Sequence, residues 1–315
     1  MLKGLEGKTV LVTGAAGFIG QHLLQRLQEI PDIKILALTR QPVNESAKSG
    51  GIQWLEGSLD DLTTTFWINH GIKHVDIIFH LGGFTPKVAK DANNLHLIYK
   101  NNIVGSQKLL DNLPNVPTRI VFASTLDVYE GNADPNAIID ETTSLIPSGL
   151  YGASKLFCEQ MIMEYASQQG CGFAILRYGH IYGPGEMAYR KFIPEIIRKF
   201  IANESPIIYG DGSTLRDFLY VDDVVEATLR AAVHSSNALG PVNIVRGQSV
   251  PLHQIVDHLL TYTGRKVQPI YMQDKPNGLS LQFNNNLMMS LLKKWEFTSL
   301  WKGLEAQYDQ FKQQV

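Results

Sequence analysis

Thr9-Val10-Leu11-Val12-Thr13-Gly14-Ala15-Ala16-Gly17-Phe18-Ile19-Gly20 is the stretch that decides the fold of this 315-residue chain. Its first five residues read as a buried strand, and the apolar spacing over residues 18–30 reads as the helix that follows. Glycine at 14, 17 and 20 permits a tight turn, close approach of backbone to a pyrophosphate, and tight packing of helix on strand. The start of that helix offers unpaired N–H groups and the positive end of its dipole. Three glycines alone would also suit an ordinary strand-to-helix turn. Following a strand and opening a helix, they predict a dinucleotide site at Gly14, Gly17, Phe18, Ile19 and Gly20.

Outward from this loop, short apolar runs alternate with helix-length amphipathic segments. Strands are expected at 33–38, 52–55, 75–80 and 119–123, and helices at 60–69 and 95–113. Continuous β-branched runs separated by helices predict an α/β fold, a doubly wound parallel sheet covered on both faces. Ligands of such sheets sit at the carboxyl ends of the strands. After about Gly185 the alternation weakens, and Gly183-Pro184-Gly185, Gly210-Asp211-Gly212 and Gly240-Pro241 punctuate the chain. The expected division is a dinucleotide-binding unit over 1–185 and a smaller, mostly helical substrate-binding region over 186–315. Some segments of that region would return to the main sheet.

The composition is that of a globular enzyme-sized chain, 44% hydrophobic and 18% charged. A formal net charge of -2 leaves no basic footprint for nucleic acid. Cys158 and Cys171 have neither metal-like nor CxxC spacing, which fits a reducing compartment. The opening Met1-Leu2-Lys3-Gly4-Leu5-Glu6-Gly7-Lys8 lacks a signal-peptide pattern, and no apolar run of about 18 residues suggests a membrane span. These features predict a cytoplasmic protein without membrane attachment. His70 and His74, with Gly71 between them, do not read as metal ligands, and no metal site is expected.

With its GxxGxxG spacing, the loop at 14–20 resembles that of the extended short-chain dehydrogenase/reductase family, also called the NAD-dependent epimerase/dehydratase family. The resemblance runs from Lys8 to about Gln310, with the motifs in the family's order. It implies cofactor contacts at Gly57-Ser58-Leu59-Asp60, through Ser58 and Leu59, and at His80-Leu81-Gly82-Gly83, through Leu81, Gly82 and Gly83. The second strand ends Ala37-Leu38-Thr39-Arg40, with Thr39 where NAD-preferring members usually carry Asp. Arg40 offers a planar, permanently charged group suited to a 2′-phosphate, although it would equally suit solvent or an adenine face. NADP is therefore favoured as cofactor, with NAD as the alternative.

A Tyr and a Lys four apart on a helix project from one face, and an ammonium beside a phenol lowers the phenol's pKa from about 10. The spacing occurs four times: Tyr151/Lys155, Tyr262/Lys266, Tyr271/Lys275 and Tyr308/Lys312. Gly264 weakens the second as a helix, Pro276 disfavours the third, and no chemistry surrounds the fourth. Tyr151-Gly152-Ala153-Ser154-Lys155 opens a long helix after the Pro147/Gly149 loop, where the family carries its catalytic tyrosine. The preceding strand ends Ser124-Thr125-Leu126-Asp127-Val128-Tyr129. By resemblance Thr125 meets the reacting sugar oxygen and Ser124 lies nearer the cofactor, although both could simply cap a turn. Asn102 matches the family's motif asparagine and would support the site's backbone or a water chain. An ordinary helix asparagine is the other reading.

Arg177-Tyr178-Gly179-His180 resembles the segment beside the nicotinamide, with Tyr178 against the ring and His180 where the family commonly has Asn. Tyr209-Gly210-Asp211-Gly212-Ser213-Thr214-Leu215-Arg216 resembles the family's substrate motif, in which the arginine grips a nucleotide-sugar diphosphate. The substrate-binding set implied is Thr85, Thr125, His180, Tyr209 and Arg216. Asp222 and Asp223 read as helix-capping residues, and Arg190 and Lys191 as a solvated face. Leu126-Asp127 stands where a 4,6-dehydratase has Asp-Glu, which disfavours dehydration. Thr39-Arg40 favours a 4-keto-sugar reductase over an NAD-retaining epimerase, and a non-catalytic dinucleotide binder remains the reading from another class. The resemblance also implies a homodimer through helices near 97–110 and 156–165.

Overall fold

A computed structural model describes residues 2–41, 51–131, 134 and 137–314. In chain order its main elements begin β1 (Thr9–Thr13), α1 (Phe18–Leu27), β2 (Lys34–Thr39), β3 (Ile52–Glu56), α2 (Thr64–Asn69) and β4 (Ile77–His80). They continue α3 (Leu95–Ile98), α4 (Gly105–Asp111), β5 (Arg119–Thr125), β6 (Ile138–Ile139), α5 (Leu150–Gln169), β7 (Gly172–Tyr178) and β8 (His180–Tyr182). Next come α6 (Phe192–Ile201), β9 (Ile207–Tyr209), β10 (Leu215–Tyr220), α7 (Val221–Ala232), β11 (Ala238–Ile244) and β12 (Ser249–Pro251). The chain closes with α8 (Leu252–Thr263), β13 (Ile270–Met272), β14 (Gln282–Phe283), α9 (Asn286–Leu291) and α10 (Leu300–Gln313).

Seven strands form one sheet in the order β11-β7-β5-β4-β1-β2-β3, and every neighbouring pair is parallel. From β1 the chain steps outward to β2 and β3, then returns to the other side of β1 to lay down β4 and β5. The reversal leaves a crevice at the carboxyl ends of β1 and β4, the place where a doubly wound sheet takes a ligand. Side chains of one strand alternate between two cores. Val10 and Val12 pack with Leu23 and Leu27 of α1 and with Val224 and Val225 of α7. Leu11 points the other way, with Leu109 of α4 and Ile162 of α5. Burial on both faces is why these strands read as unbroken apolar runs.

Three segments depart from the sequence pattern, and each departure shapes the site. The apolar spacing predicts a single helix over 95–113, but α3 and α4 are separated by a π-helical stretch, Tyr99–Val104. Within this stretch Asn102 is buried and clasps the Phe84 backbone. The helix expected over 60–69 is divided because Ser58 and Asp61 cap a 3-10 turn at Leu59–Asp61. A new start then comes at Thr63, whose Oγ1 accepts from Phe66 N at 3.1 Å. The strand expected to end at Ala123 continues to Thr125, because Ser124 and Thr125 still pair with Arg177 and Tyr178 of β7.

Past residue 185, five helices and six short strands occur among the described residues. β11 returns to the edge of the main sheet beside β7, and β8 pairs with β10 in a separate three-stranded sheet with β12. Among the described residues no helix is long and apolar enough to cross a membrane.

Candidate active site

Gly14 adopts φ +69°, and a Cβ there would stand 2.9 Å from Leu81 O and Gly82 N. The glycine therefore lets the turn after β1 lie directly against the turn after β4. A Cβ on Gly20 would overlap the Gly14 carbonyl oxygen, so α1 can pack this closely only with glycine there. No side chain caps α1 at Gly17, and the N–H groups of its first turn carry no side-chain acceptor. Behind both turns, Thr13 Oγ1 accepts from Gly82 N at 2.9 Å and lies 2.7 Å from His80 Nδ1. His80 Nε2 lies 2.9 Å from Ser106 Oγ. Burial pushes the His80 pKa down to about 3, with the Lys155 charge adding to this, so the imidazole is a neutral strut.

A cleft of about 1130 Å3 runs across these turns. All residues assigned to the cofactor from sequence line it, from Gly14 to Tyr178, as do Thr85, Thr125, His180 and Arg216. A smaller cavity of about 240 Å3 adjoins it, and the two share Glu130, His180 and Arg216. At the end near β2, Thr39 is buried and its Oγ1 accepts from Gln41 N at 3.1 Å. Arg40 is exposed at the cleft and donates to Asn101 Oδ1 at 3.2 Å. Ser58 donates from its N and Oγ to Asp61 Oδ2 at 2.7 and 2.9 Å, which holds the Asp61 carboxyl below its usual range. Such a donor-rich, glycine-walled cleft fits a dinucleotide.

Further along, Thr125 and Tyr151 both line the cleft, with Thr125 Oγ1 accepting from Asp127 N at 3.2 Å. The expected lowering of the Tyr151 pKa by Lys155 is not how this pair is arranged. Burial pushes the Tyr151 phenol up and the Asp127 charge adds to it, while a hydrogen bond with Thr85 opposes. Lys155 donates instead to Ala123 O at 2.7 Å and lies 4.6 Å from the centre of the Phe122 ring. Burial brings its pKa down to about 8. Burial thus keeps the phenol protonated, with its hydroxyl facing the cleft and hydrogen-bonded with Thr85. Asn102 stands behind the cleft: Phe84 N donates to its Oδ1 at 2.6 Å, and its Nδ2 donates to Phe84 O and Ser154 Oγ. Ser154 in turn donates to Tyr151 O at 2.7 Å, which couples the π-helical stretch to the start of α5.

Tyr178 lies in the cleft wall with its hydroxyl 2.7 Å from Thr228 Oγ1. His180 is neutral, since burial pushes its pKa down to about 3 with Arg216 and Lys191 adding to this, and its Nδ1 is buried without a hydrogen-bond partner. Arg216 donates to Leu215 O at 2.9 Å and Leu279 O at 2.5 Å, which leaves its remaining N–H groups for an anion. Tyr209 departs from expectation. It stands on β9, 64% exposed, and lines neither cavity, because the β9–β13 pair lies outside the cleft.

Four carboxyl groups line the cleft without assignment from sequence, Asp91, Asp127, Glu130 and Glu186, and burial acts most on two of them. Asp127 lines the cleft, and burial, with Glu130 adding to it, pushes its pKa up to about 6. Glu186 is buried in the same wall, accepts from Gln307 Nε2 at 3.0 Å and has its pKa pushed up to about 7 by burial. Asp127 was legible only as the second residue of Leu126-Asp127, where a 4,6-dehydratase has Asp-Glu, and Glu186 carried no motif signal at all. The rival tyrosines fall away: Tyr262 donates to Asp309 Oδ2 at 2.8 Å, Tyr308 is buried against it, and neither they nor Tyr271 line a cavity. Among the described residues no cluster of metal-ligating side chains occurs.

The model of the NAD dependent epimerase/dehydratase family matches residues 10–245. This chain belongs to that family. Its members are enzymes, and the fold just described is theirs. The chain is 32% identical over 234 residues to a trifunctional UDP-glucose 4,6-dehydratase/UDP-4-keto-6-deoxy-D-glucose 3,5-epimerase/UDP-4-keto-L-rhamnose-reductase of Arabidopsis thaliana. That match takes in 70% of this chain but only 34% of the plant protein, so the chain spans about a third of that relative's length. It is 31% identical to a putative UDP-glucose 4-epimerase of Methanocaldococcus jannaschii, over 85% of this chain and 86% of the other. A UDP-glucuronic acid 4-epimerase from Bacillus cereus, solved with UDP-glucuronic acid and NAD, superposes with a TM-score of 0.81 at 25% identity. That match covers 98% of this chain and 100% of the other.

Proposed function

We propose that this member of the family transfers hydride at C4 of a nucleotide-diphosphate sugar, most directly as a 4-keto-sugar reductase. The observation that carries the proposal is the convergence of the Tyr151 phenol, the Thr125 hydroxyl and the Lys155 ammonium on one cleft that also holds Arg216. In this reading NADPH, when bound, supplies the hydride. Tyr151 then gives its proton to the sugar oxygen, Thr125 polarises the same oxygen, and Lys155, anchored on Ala123 O, steadies the ribose. Arg216 grips the diphosphate, His180 donates to it or to the sugar, and Thr85 orients the Tyr151 hydroxyl. Asn102 keeps the Phe84–Thr85 backbone in place. The division into a dinucleotide half, 1–185, and a substrate half, 186–315, belongs to the same proposal.

Relatives of nearly equal identity carry names as different as a dehydratase–epimerase–reductase and a 4-epimerase, so overall likeness does not choose the outcome. Particular residues must. Thr39 presents no carboxylate to a ribose 2′-OH, and Arg40 stands beside that place with a guanidinium suited to a 2′-phosphate. This supports NADPH that enters and leaves, hence net reduction. The second reading, epimerisation with retained NAD, is favoured by the end-to-end likeness to the archaeal 4-epimerase. Exposed Leu95, Tyr99 and Phe157 on α3, the π-helical stretch and α5 support a homodimer through these helices. Two free cysteines suit a reducing cytoplasm.

The test is to identify any dinucleotide that co-purifies, then to incubate the protein with nucleotide sugars and 4-keto sugars while following NADPH absorbance. Consumption of NADPH with formation of an alcohol is expected. An isomeric sugar with bound NAD and no net oxidation would replace reduction by epimerisation. No conversion of any sugar would remove both.

A further inference from the structure

One turn beyond Lys155 on α5, Glu159 is completely buried. Arg177 of β7 donates to it twice, Nε to Oε1 at 3.0 Å and Nη2 to Oε2 at 2.7 Å. Ser124 Oγ of β5 donates to the same carboxylate. Arg177 also donates from Nη1 to Tyr129 Oη at 2.6 Å, and Tyr129 donates to Asn243 Oδ1 of β11 at 3.1 Å. Lys155 and Glu159 therefore seize consecutive residues of β5, Ala123 and Ser124, just before Thr125. A buried ion pair adds little net stability, because desolvation of both charges offsets their attraction, but it can fix the register of the elements it joins.

We propose that Glu159 is the positioning residue of this centre: held by Arg177, it clamps α5 to the tip of β5 and balances the charge of the Lys155 ammonium. The proposal rests on the Tyr151–Lys155–Thr125 reading above. Tyr151 and Lys155 lie on the clamped helix and Thr125 on the clamped strand, so the spacing of phenol, ammonium and hydroxyl depends on this one link. The titratable groups about Lys155 are Tyr151, Cys158 and Glu159 on its own helix and His80 on β4, with Arg177 reaching it through Glu159. Burial lowers the Lys155 pKa, and the Glu159 charge is among those that hold it up. Removing that charge should move the lysine titration to lower pH.

The experiment compares the full-length protein with the double variant Glu159→Leu/Arg177→Met, which replaces the pair by apolar groups so that neither of its members is left buried alone. Lys155 ionisation is followed by NMR of lysine 13C-labelled at Cε, assigned with Lys155→Arg. The midpoint is expected near pH 8 in the parent, where the lysine pKa lies at about 8, and lower in the variant, because Glu159 acts on the ammonium directly and Arg177 only through it. With the sugar that the parent turns over, kcat should fall about 100-fold while KM and dinucleotide Kd stay within about twofold. An unmoved midpoint, or a kcat within about twofold of the parent, overturns the proposal. Should the double variant not fold, Ser124→Ala decides, since it keeps the ion pair and cuts only the tie to β5. It should lower kcat about 10-fold, and an unchanged kcat overturns the clamp. If the parent converts no sugar at all but the lysine midpoint still moves, the assigned activity fails while the Glu159 clamp stands.

Discussion

At one end of the cleft the wall is largely backbone: Gly14 lies against the Leu81–Gly82 turn, Gly20 against the Gly14 carbonyl, and α1 opens without a side-chain cap. At the other the wall is side chains brought from afar: Thr85 after β4, Thr125 at the end of β5, Tyr151 on α5, His180 on β8 and Arg216 on β10. A wall of backbone needs glycine at fixed spacing, because any Cβ would collide, and so it leaves its mark within a dozen residues of sequence. A wall of side chains needs only that distant elements converge, which no local spacing records.

This contrast can be broken at several points. Tyr151→Phe should strike one side alone, lowering kcat by about 100- to 10,000-fold while the dinucleotide Kd, followed by NADPH fluorescence, stays put. Retained turnover would remove Tyr151 from the chemistry. Gly20→Ala should strike the other side, since its methyl overlaps the Gly14 carbonyl. We expect a loss of about 1–3 kcal/mol in chemical denaturation together with weaker dinucleotide binding. If both were unaffected, the backbone wall would not be as tight as described. Arg216→Lys should raise KM for the nucleotide sugar about 10-fold without altering the dinucleotide Kd, because an ammonium cannot reproduce the planar fork. Arg40→Ser should reduce the ratio of NADPH to NADH efficiency by about 10-fold, and an unchanged ratio would return the choice to NAD.

The smallest effect expected concerns Asp127. Its pKa is pushed from 3.8 in the unfolded chain to about 6 in the fold, so the folded state binds more protons between those values. Its presence therefore costs stability progressively as pH rises from about 4 to 6, and the full penalty is in force at pH 7. Asp127→Asn should be more stable than the parent by about 1 kcal/mol at pH 7 in urea denaturation, with the advantage shrinking toward pH 4. An advantage that grew on acidification would contradict the burial of this carboxyl group.

Much of the glycine-lined wall could be read directly: the strand Thr9–Thr13 forms, and the glycines after it and the pair Gly82–Gly83 line the cleft. Tyr151 was separable from three other tyrosines at the same spacing from a lysine by the helix it opens and the strand before it. Tyr209, placed in the substrate set by resemblance, sits exposed on β9, which pairs in parallel with β13 and lines neither cavity. Asn102 matched a motif, yet it sits in a π-helical stretch that the apolar spacing did not foretell. The state of the Tyr–Lys pair was misjudged for a similar reason. The spacing of four places both side chains on one helix face, but burial and the Ala123 carbonyl oxygen decide where the ammonium goes.

Local periodicity and the steric demand for glycine are written in neighbouring residues, and from them alone follow the parallel sheet, its crevice and the backbone that lines it. Charge states and long-range partners are not so written. Burial pushes Asp127 and Glu186 up and brings Lys155 down, and the meeting of Glu159 with Arg177 joins two elements by a bond across the core. Those outcomes depend on how much water remains around each group and which strand lies beside it, quantities that exist only once the chain has closed on itself.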